Sequence, residues 1–110
     1  MPVVNVNYQR TEDLLQLDAK TRTLTQYFSE ALSCTERKLK PNEISLRYHK
    51  VEGNGMLRNV EFDIMAFAYP ERVKRQDEIC RDARVFIEKE VPSVAPVYVF
   101  LQLSEFGMSG

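Results

Sequence analysis

A chain of 110 residues has room for one hydrophobic core, and its net charge of −1 supplies no overall field toward nucleic acid or a membrane surface. No apolar run approaches the roughly 20 residues that span a bilayer. The N-terminus has neither the basic flank nor the apolar stretch of a secretory signal, so a cytoplasmic protein is expected.

Val3 to Tyr8 alternates, with Val4, Val6 and Tyr8 on one parity and Asn5 and Asn7 on the other, which predicts a half-buried strand. Pro2 stands directly before it. Thr11 is placed to cap a helix whose first turn carries Glu12 and Asp13, acids that the helix dipole favours there. Leu24, Tyr27, Phe28, Ala31 and Leu32 continue it as an apolar stripe ending near Ser33-Cys34. Pro41 separates that helix from a second alternating strand, Glu43 to Val51, in which Ile44, Leu46 and Tyr48 oppose Ser45, Arg47 and His49. Gly53-Asn54-Gly55 predicts a turn at mid-chain.

Asn59 to Tyr69 predicts a third strand, with Val60, Phe62 and Ile64 against Glu61 and Asp63, closed by Pro70. Ile79, Cys80, Ala83, Phe86 and Ile87 repeat the helical stripe, and Val91-Pro92 ends it. Arg72, Lys74 and Arg75 open this second helix, where the dipole disfavours positive charge; they form either a solvated face or an anion-facing patch. A last strand runs from Val97 to Leu103, and the tail Phe106 to Gly110 is either loose or paired with a neighbour. Two cysteines, Cys34 and Cys80, and a single histidine, His49, give no ligand spacing for zinc, so no metal and no cofactor are expected. Cys80 falls in an apolar stripe and reads as a buried thiol.

The order is therefore strand-helix-strand twice, in one domain whose first unit spans 1–52 and whose second spans 56–110. Tyr8-Gln9-Arg10 and Tyr69-Pro70-Glu71-Arg72 occupy equivalent places after the leading strand of each unit. Two right-handed βαβ units predict an α/β (α+β) fold, a four-stranded sheet with both helices on one face. The other face collects Asn5, Asn7, Ser45, Arg47, His49, Glu61, Asp63, Tyr98, Phe100 and Gln102. It is polar with aromatic insertions and has no third layer from this chain, which predicts burial against other copies.

The Met-Pro start, the doubled βαβ layout and the length together resemble the tautomerase superfamily. This group includes 4-oxalocrotonate tautomerase, 5-carboxymethyl-2-hydroxymuconate isomerase and macrophage migration inhibitory factor. Ile44-Ser45-Leu46-Arg47-Tyr48-His49 is similar to the second strand of the muconate isomerases. Lys40-Pro41 and Val97-Tyr98-Val99 are similar to stretches of the cytokine branch. The isomerases have an arginine where Ser45 falls, so Arg47 stands in from two residues along the same face. Tyr69-Pro70-Glu71-Arg72 replaces a glycine-rich turn.

The resemblance implies a homotrimer, without nucleic-acid or membrane partners. It also implies a cofactor-independent isomerase that interconverts enol and keto forms of a small carboxylate-bearing substrate. Pro2 would be the general base, provided Met1 is removed so that its nitrogen is an amine. An ordinary α-amino group titrates near about 8. Burial in an apolar pocket and nearby cations disfavour the charged form and bring such a base toward working pH. Arg47 is the expected carboxylate ligand, its planar fork matching two oxygens. Lys40 and Arg10 are further cations, and Tyr98, Phe100 and Phe67 are candidate apolar walls. The alternatives are a non-catalytic trimeric binding or signalling protein of the same fold, or a proline-dependent dehalogenase or decarboxylase.

Overall fold

The structure is a computed structural model and describes residues 1–56 and 58–105. The expectation for Phe106 to Gly110 lies outside the described residues. Four strands, β1 (Val3–Tyr8), β2 (Ser45–Lys50), β3 (Val60–Phe67) and β4 (Val97–Ser104), form one sheet in the order β2-β1-β3-β4. β1 runs parallel to β2 and β3 parallel to β4, whereas the central pair β1/β3 is antiparallel. Each βαβ unit thus contributes an adjacent parallel pair, and the units meet head to tail at the centre.

The strand parities hold. Val4, Val6, Val60, Phe62 and Ile64 are fully buried, beneath helical residues Leu24, Phe28, Leu32, Ile79, Ala83 and Ile87. Alternation works here because only one sheet face has helices to pack against. On the opposite face the register forms rows across the sheet. Ser45, Val3, Met65 and Gln102 make one, Arg47, Asn5, Asp63 and Phe100 the next, and His49, Asn7, Glu61 and Tyr98 the third.

Each predicted helix is in fact two. The first is α1 (Thr11–Asp18) and α2 (Thr21–Ala31), and the second is α3 (Pro70–Lys74) and α4 (Gln76–Glu90). Neither break has a proline or glycine inside it. In the first, the Tyr48 hydroxyl donates to the Leu17 carbonyl at 3.2 Å and lies 2.6 Å from Thr21 Oγ1. A side chain from β2 therefore occupies the place of an i→i−4 bond, a recognised cause of kinks. Thr11 does not cap α1: Arg10 is the capping residue, without a side-chain cap bond, and Thr11 is the first helical residue. Residues Pro41–Glu43, expected partly as strand, form a 3-10 turn. Both cysteines are free; Cys34 is buried, whereas Cys80 is only half-buried against the core. Among the described residues no helix is long and apolar enough to cross a membrane.

The outer edge of β4 is covered by side chains of α4 rather than left open. Val97 N–H donates to Glu88 Oε2 at 3.0 Å, and Gln76 Nε2 donates to the Leu101 carbonyl at 2.7 Å. Such cover blunts an edge that would otherwise template strand addition.

Candidate functional site

Pro2 is buried, and its carbonyl accepts the Ser45 N–H at 3.0 Å, which ties the chain start to the head of β2. Met1 ahead of it is 69% exposed. By strand parity the Pro2 ring belongs with Val4 and Val6, on the helix-covered side of the sheet. Because β1 and β3 are antiparallel, with Val3 opposite Met65, continuing that register sets Pro2 beside Ala66 and Met1 beside Phe67. The start of β1 therefore lies at the end of the sheet where β3 turns into α3.

That turn carries Arg72. The side chain is 3% exposed, with Nε donating to the Leu32 carbonyl at 2.8 Å and one terminal nitrogen donating to the Phe67 carbonyl at 3.1 Å. The first bond satisfies an orphan carbonyl at the C-terminal end of α2; the second is an additional donor to the Phe67 carbonyl, which also accepts the Tyr69 N–H at 3.0 Å. The guanidinium also sits 5.0 Å from the centroid of the Tyr69 ring, which itself packs 4.8 Å from Phe67. Its remaining nitrogen is buried and has no acceptor among the described residues. Burial pushes the Arg72 pKa below its ordinary value, and the neighbouring Cys34 thiol and Tyr69 push back. A buried cation with an unspent nitrogen would gain from an oxyanion partner.

The solvated-face reading is thus wrong for Arg72. Sequence reasoning left it out of the site because a cation in a first helical turn reads as surface. One signal marked it out: the unfavourable placement of a cation against the helix dipole.

The seven residues singled out from the sequence are spread over both ends of the sheet. Lys40 is exposed and precedes the Pro41–Glu43 turn, whose Glu43 accepts the Lys40 N–H at 3.0 Å; this turn leads into the Ser45–Pro2 contact. Phe67, 37% exposed, ends β3 at the Pro2 end. Arg47 is exposed on the uncovered face in the Asn5 row, roughly 10 Å along the strand from Pro2, and its Nε donates to Ser45 Oγ at 3.0 Å. Tyr98 and Phe100 stack at 4.3 Å between centroids on the same face of β4. They lie two strands from β1, so roughly 10 Å sideways as well as further along. Arg10 is beyond the far end of β1, fork to fork with Asp13 at 3.0 Å for both bonds. One chain sets Pro2, Lys40, Phe67 and Arg72 at the same end of the sheet, and Arg10, Tyr98 and Phe100 elsewhere.

Cys34 Sγ and carboxylate oxygens of Glu36 and Glu71 lie within 4.8 Å of one another at this end. Glu71 is already engaged by the Thr35 N–H at 2.7 Å, and the adjoining Arg72 charge opposes a cation. Of its members, Cys34 and Glu36 hold the Arg72 pKa up against burial.

No family profile and no curated protein matches the sequence. Solved structures do. The chain is similar to a protein of unknown function from Vibrio cholerae, with a TM-score of 0.67 and 13% identity over 99% of this chain and 84% of that one. It is similar to a fused 4-OT solved as an asymmetric trimer, with a TM-score of 0.63 and 14% identity over 98% and 93%. It is also similar to N1, a member of the cis-3-chloroacrylic acid dehalogenase family, with a TM-score of 0.62 and 9% identity over 97% and 79%. The fold is that of the tautomerase superfamily. At these identities the likeness is one of architecture.

Proposed function

We propose that this chain is a cofactor-independent tautomerase that works as a homotrimer on a small enol or keto acid, with Pro2 as its proton carrier once Met1 is removed. The observation that carries the reading is the pairing of a buried, strand-anchored Pro2 with a buried Arg72 at the same end of the sheet, Arg72 retaining one unspent donor. The secondary amine, neutral at working pH, takes the proton of an enol hydroxyl. Electrons close to the carbonyl, and the same proton is returned to the adjacent carbon. Burial and the Arg72 charge both disfavour the protonated amine, which keeps it available as a base. Arg72 binds the carboxylate, and Lys40 and Arg47 add positive charge as the enolate develops.

Trimerisation rests on the uncovered face, where Tyr98 and Phe100 expose 36% and 37% of their surfaces. The solved 4-OT relative is itself a trimer. In such an assembly Phe67 forms a wall of its own chain's site, while Tyr98, Phe100 and Arg10 serve the site of a neighbouring subunit.

Intact mass of the native protein comes first, since a retained Met1 makes the Pro2 nitrogen an amide and leaves a non-catalytic assembly as the function. With Met1 gone, Pro2→Ala is expected to lower the rate of phenylenolpyruvate ketonisation by about 100-fold or more, with the trimer unchanged by sedimentation. Undiminished turnover in that variant would exclude Pro2 as the base.

A further inference from the structure

Between α4 and the outer edge of β4 lies a groove of ≈ 450 Å³, at the edge and end of the sheet remote from Pro2 in the same chain. Val85, Val97, Val99 and Cys80 give it an apolar floor, and Tyr98 lines it at the strand edge. The volume is within the range of small-ligand sites, roughly 300–1,000 Å³. Three arginines line it: Arg58 from the segment before β3, and Arg81 and Arg84 from α4. Arg84 is 3.5 Å from Glu88, but neither Arg58 nor Arg81 has an acidic partner among the described residues. Glu88 is further committed to the Val97 N–H. Asp77 is the remaining acid of the lining, so the groove carries a surplus of positive charge in a chain whose net charge is −1.

The edge of β4 explains why a strand is a poor occupant. Glu88 and Gln76 already take the Val97 N–H and the Leu101 carbonyl, so an added strand would have to displace two hydrogen bonds before making its own. By alternation Val99, between them, turns its N–H and C=O to the same edge. A compact ligand can reach that one residue without disturbing the bonds on either side.

We propose that this groove binds a small aromatic carboxylate, its ring on Val85 and Val99 and its oxyanion on Arg58 and Arg81. Planar guanidinium groups suit both parts of such a ligand, forking to the carboxylate and stacking on the ring. Tyr98 is the one lining residue shared with the proposed site of a neighbouring subunit; the inference is carried by Val85, Val99, Arg58 and Arg81 and does not depend on the tautomerase reading.

The probe is 2-naphthoate, titrated into the isotopically labelled full chain and followed by amide resonances. Saturable shifts are expected at Cys80, Arg81, Arg84 and Val97 to Val99. The double substitution Arg58→Gln/Arg81→Gln should weaken binding at least tenfold while leaving the thermal midpoint in place, and the neutral 2-naphthalenemethanol should bind at least tenfold more weakly than the acid. Absence of saturable shifts at those positions would overturn the proposal. So would equal affinity of the double variant, or equal affinity for the neutral analogue. A concentration-dependent shift of the same resonances in ligand-free protein, with no response to 2-naphthoate, would assign the groove to a second copy and also overturn it.

Discussion

The two strand-to-helix turns of this chain occupy equivalent places in the repeat, and each presents an arginine after a tyrosine, yet the two arginines do opposite things. Arg10 is half-exposed and closed on itself by Asp13, with Glu12 at 3.9 Å. Its pKa is raised, first by the hydrogen bonds to Asp13 and then by the same residue's charge. Arg72 is buried, bridges α2 and β3 through two carbonyls, and retains an unspent donor. The antiparallel pairing of β1 with β3 decides which turn can serve the chain start, and it selects that of Arg72. A duplicated motif has thus become a half-buried ion pair at one end of the sheet and a buried bridge between α2 and β3 at the other.

The sharpest way to break this contrast is Arg72→Met, which keeps an unbranched stem but removes all three roles. The Leu32 carbonyl loses its donor and the Phe67 carbonyl keeps only the Tyr69 N–H, and a loss of about 2–4 kcal/mol in urea denaturation is expected. Where the variant remains folded, kcat/KM for a carboxylate enol should fall at least tenfold, while that for an uncharged enol changes much less. Equal effects on both substrates would remove Arg72 from the carboxylate role and leave it a structural bridge. The matching substitution Arg10→Ala should destabilise less than Arg72→Met, because Asp13 keeps the support of the α1 N-terminus. Its KM effect should be no more than about fivefold, as expected for an exposed, already paired charge. A larger effect from Arg10 than from Arg72 would reverse the comparison.

Tyr48 shows why the fold was legible in the sequence and its details were not. Strand parity and the helical stripes depend on which side chains face the core, and Val4, Val6, Phe62, Phe28 and Ile87 satisfy that locally. The kink between α1 and α2 depends on a hydroxyl arriving from β2, 31 residues beyond the carbonyl it meets, and no local pattern encodes it. The site divides in the same way. Pro2 and the Lys40 segment were legible because both adjoin strand starts. Arg72 was hidden because its burial comes from Leu32 and Phe67, distant partners that meet only once the repeats have docked. Tyr48→Phe tests the first point. It should cost about 1 kcal/mol through loss of the hydroxyl's bond to the Leu17 carbonyl, which keeps the Lys20 N–H at 2.9 Å, with loss of amide protection confined to residues 17–21.

The smallest expected effect concerns the acidic loop beside Arg72. Glu71 accepts the Thr35 N–H at 2.7 Å, and bonds from the Thr35 backbone and then its side chain hold the carboxyl below its usual value of 4.5, opposed next by desolvation and helped last by the charges of Lys38 and Arg75. A depressed folded pKa means that the bond contributes fully above the unfolded value and is lost as pH falls through the folded one. The Thr35 amide resonance should therefore titrate with a midpoint under 4.5, and Glu71→Gln should abolish the titration. A midpoint at or above 4.5 would show that Glu71 does not close this loop in solution. The acidic side of the Arg72 surround would then be free to move, weakening the contrast with the locked Arg10–Asp13 pair.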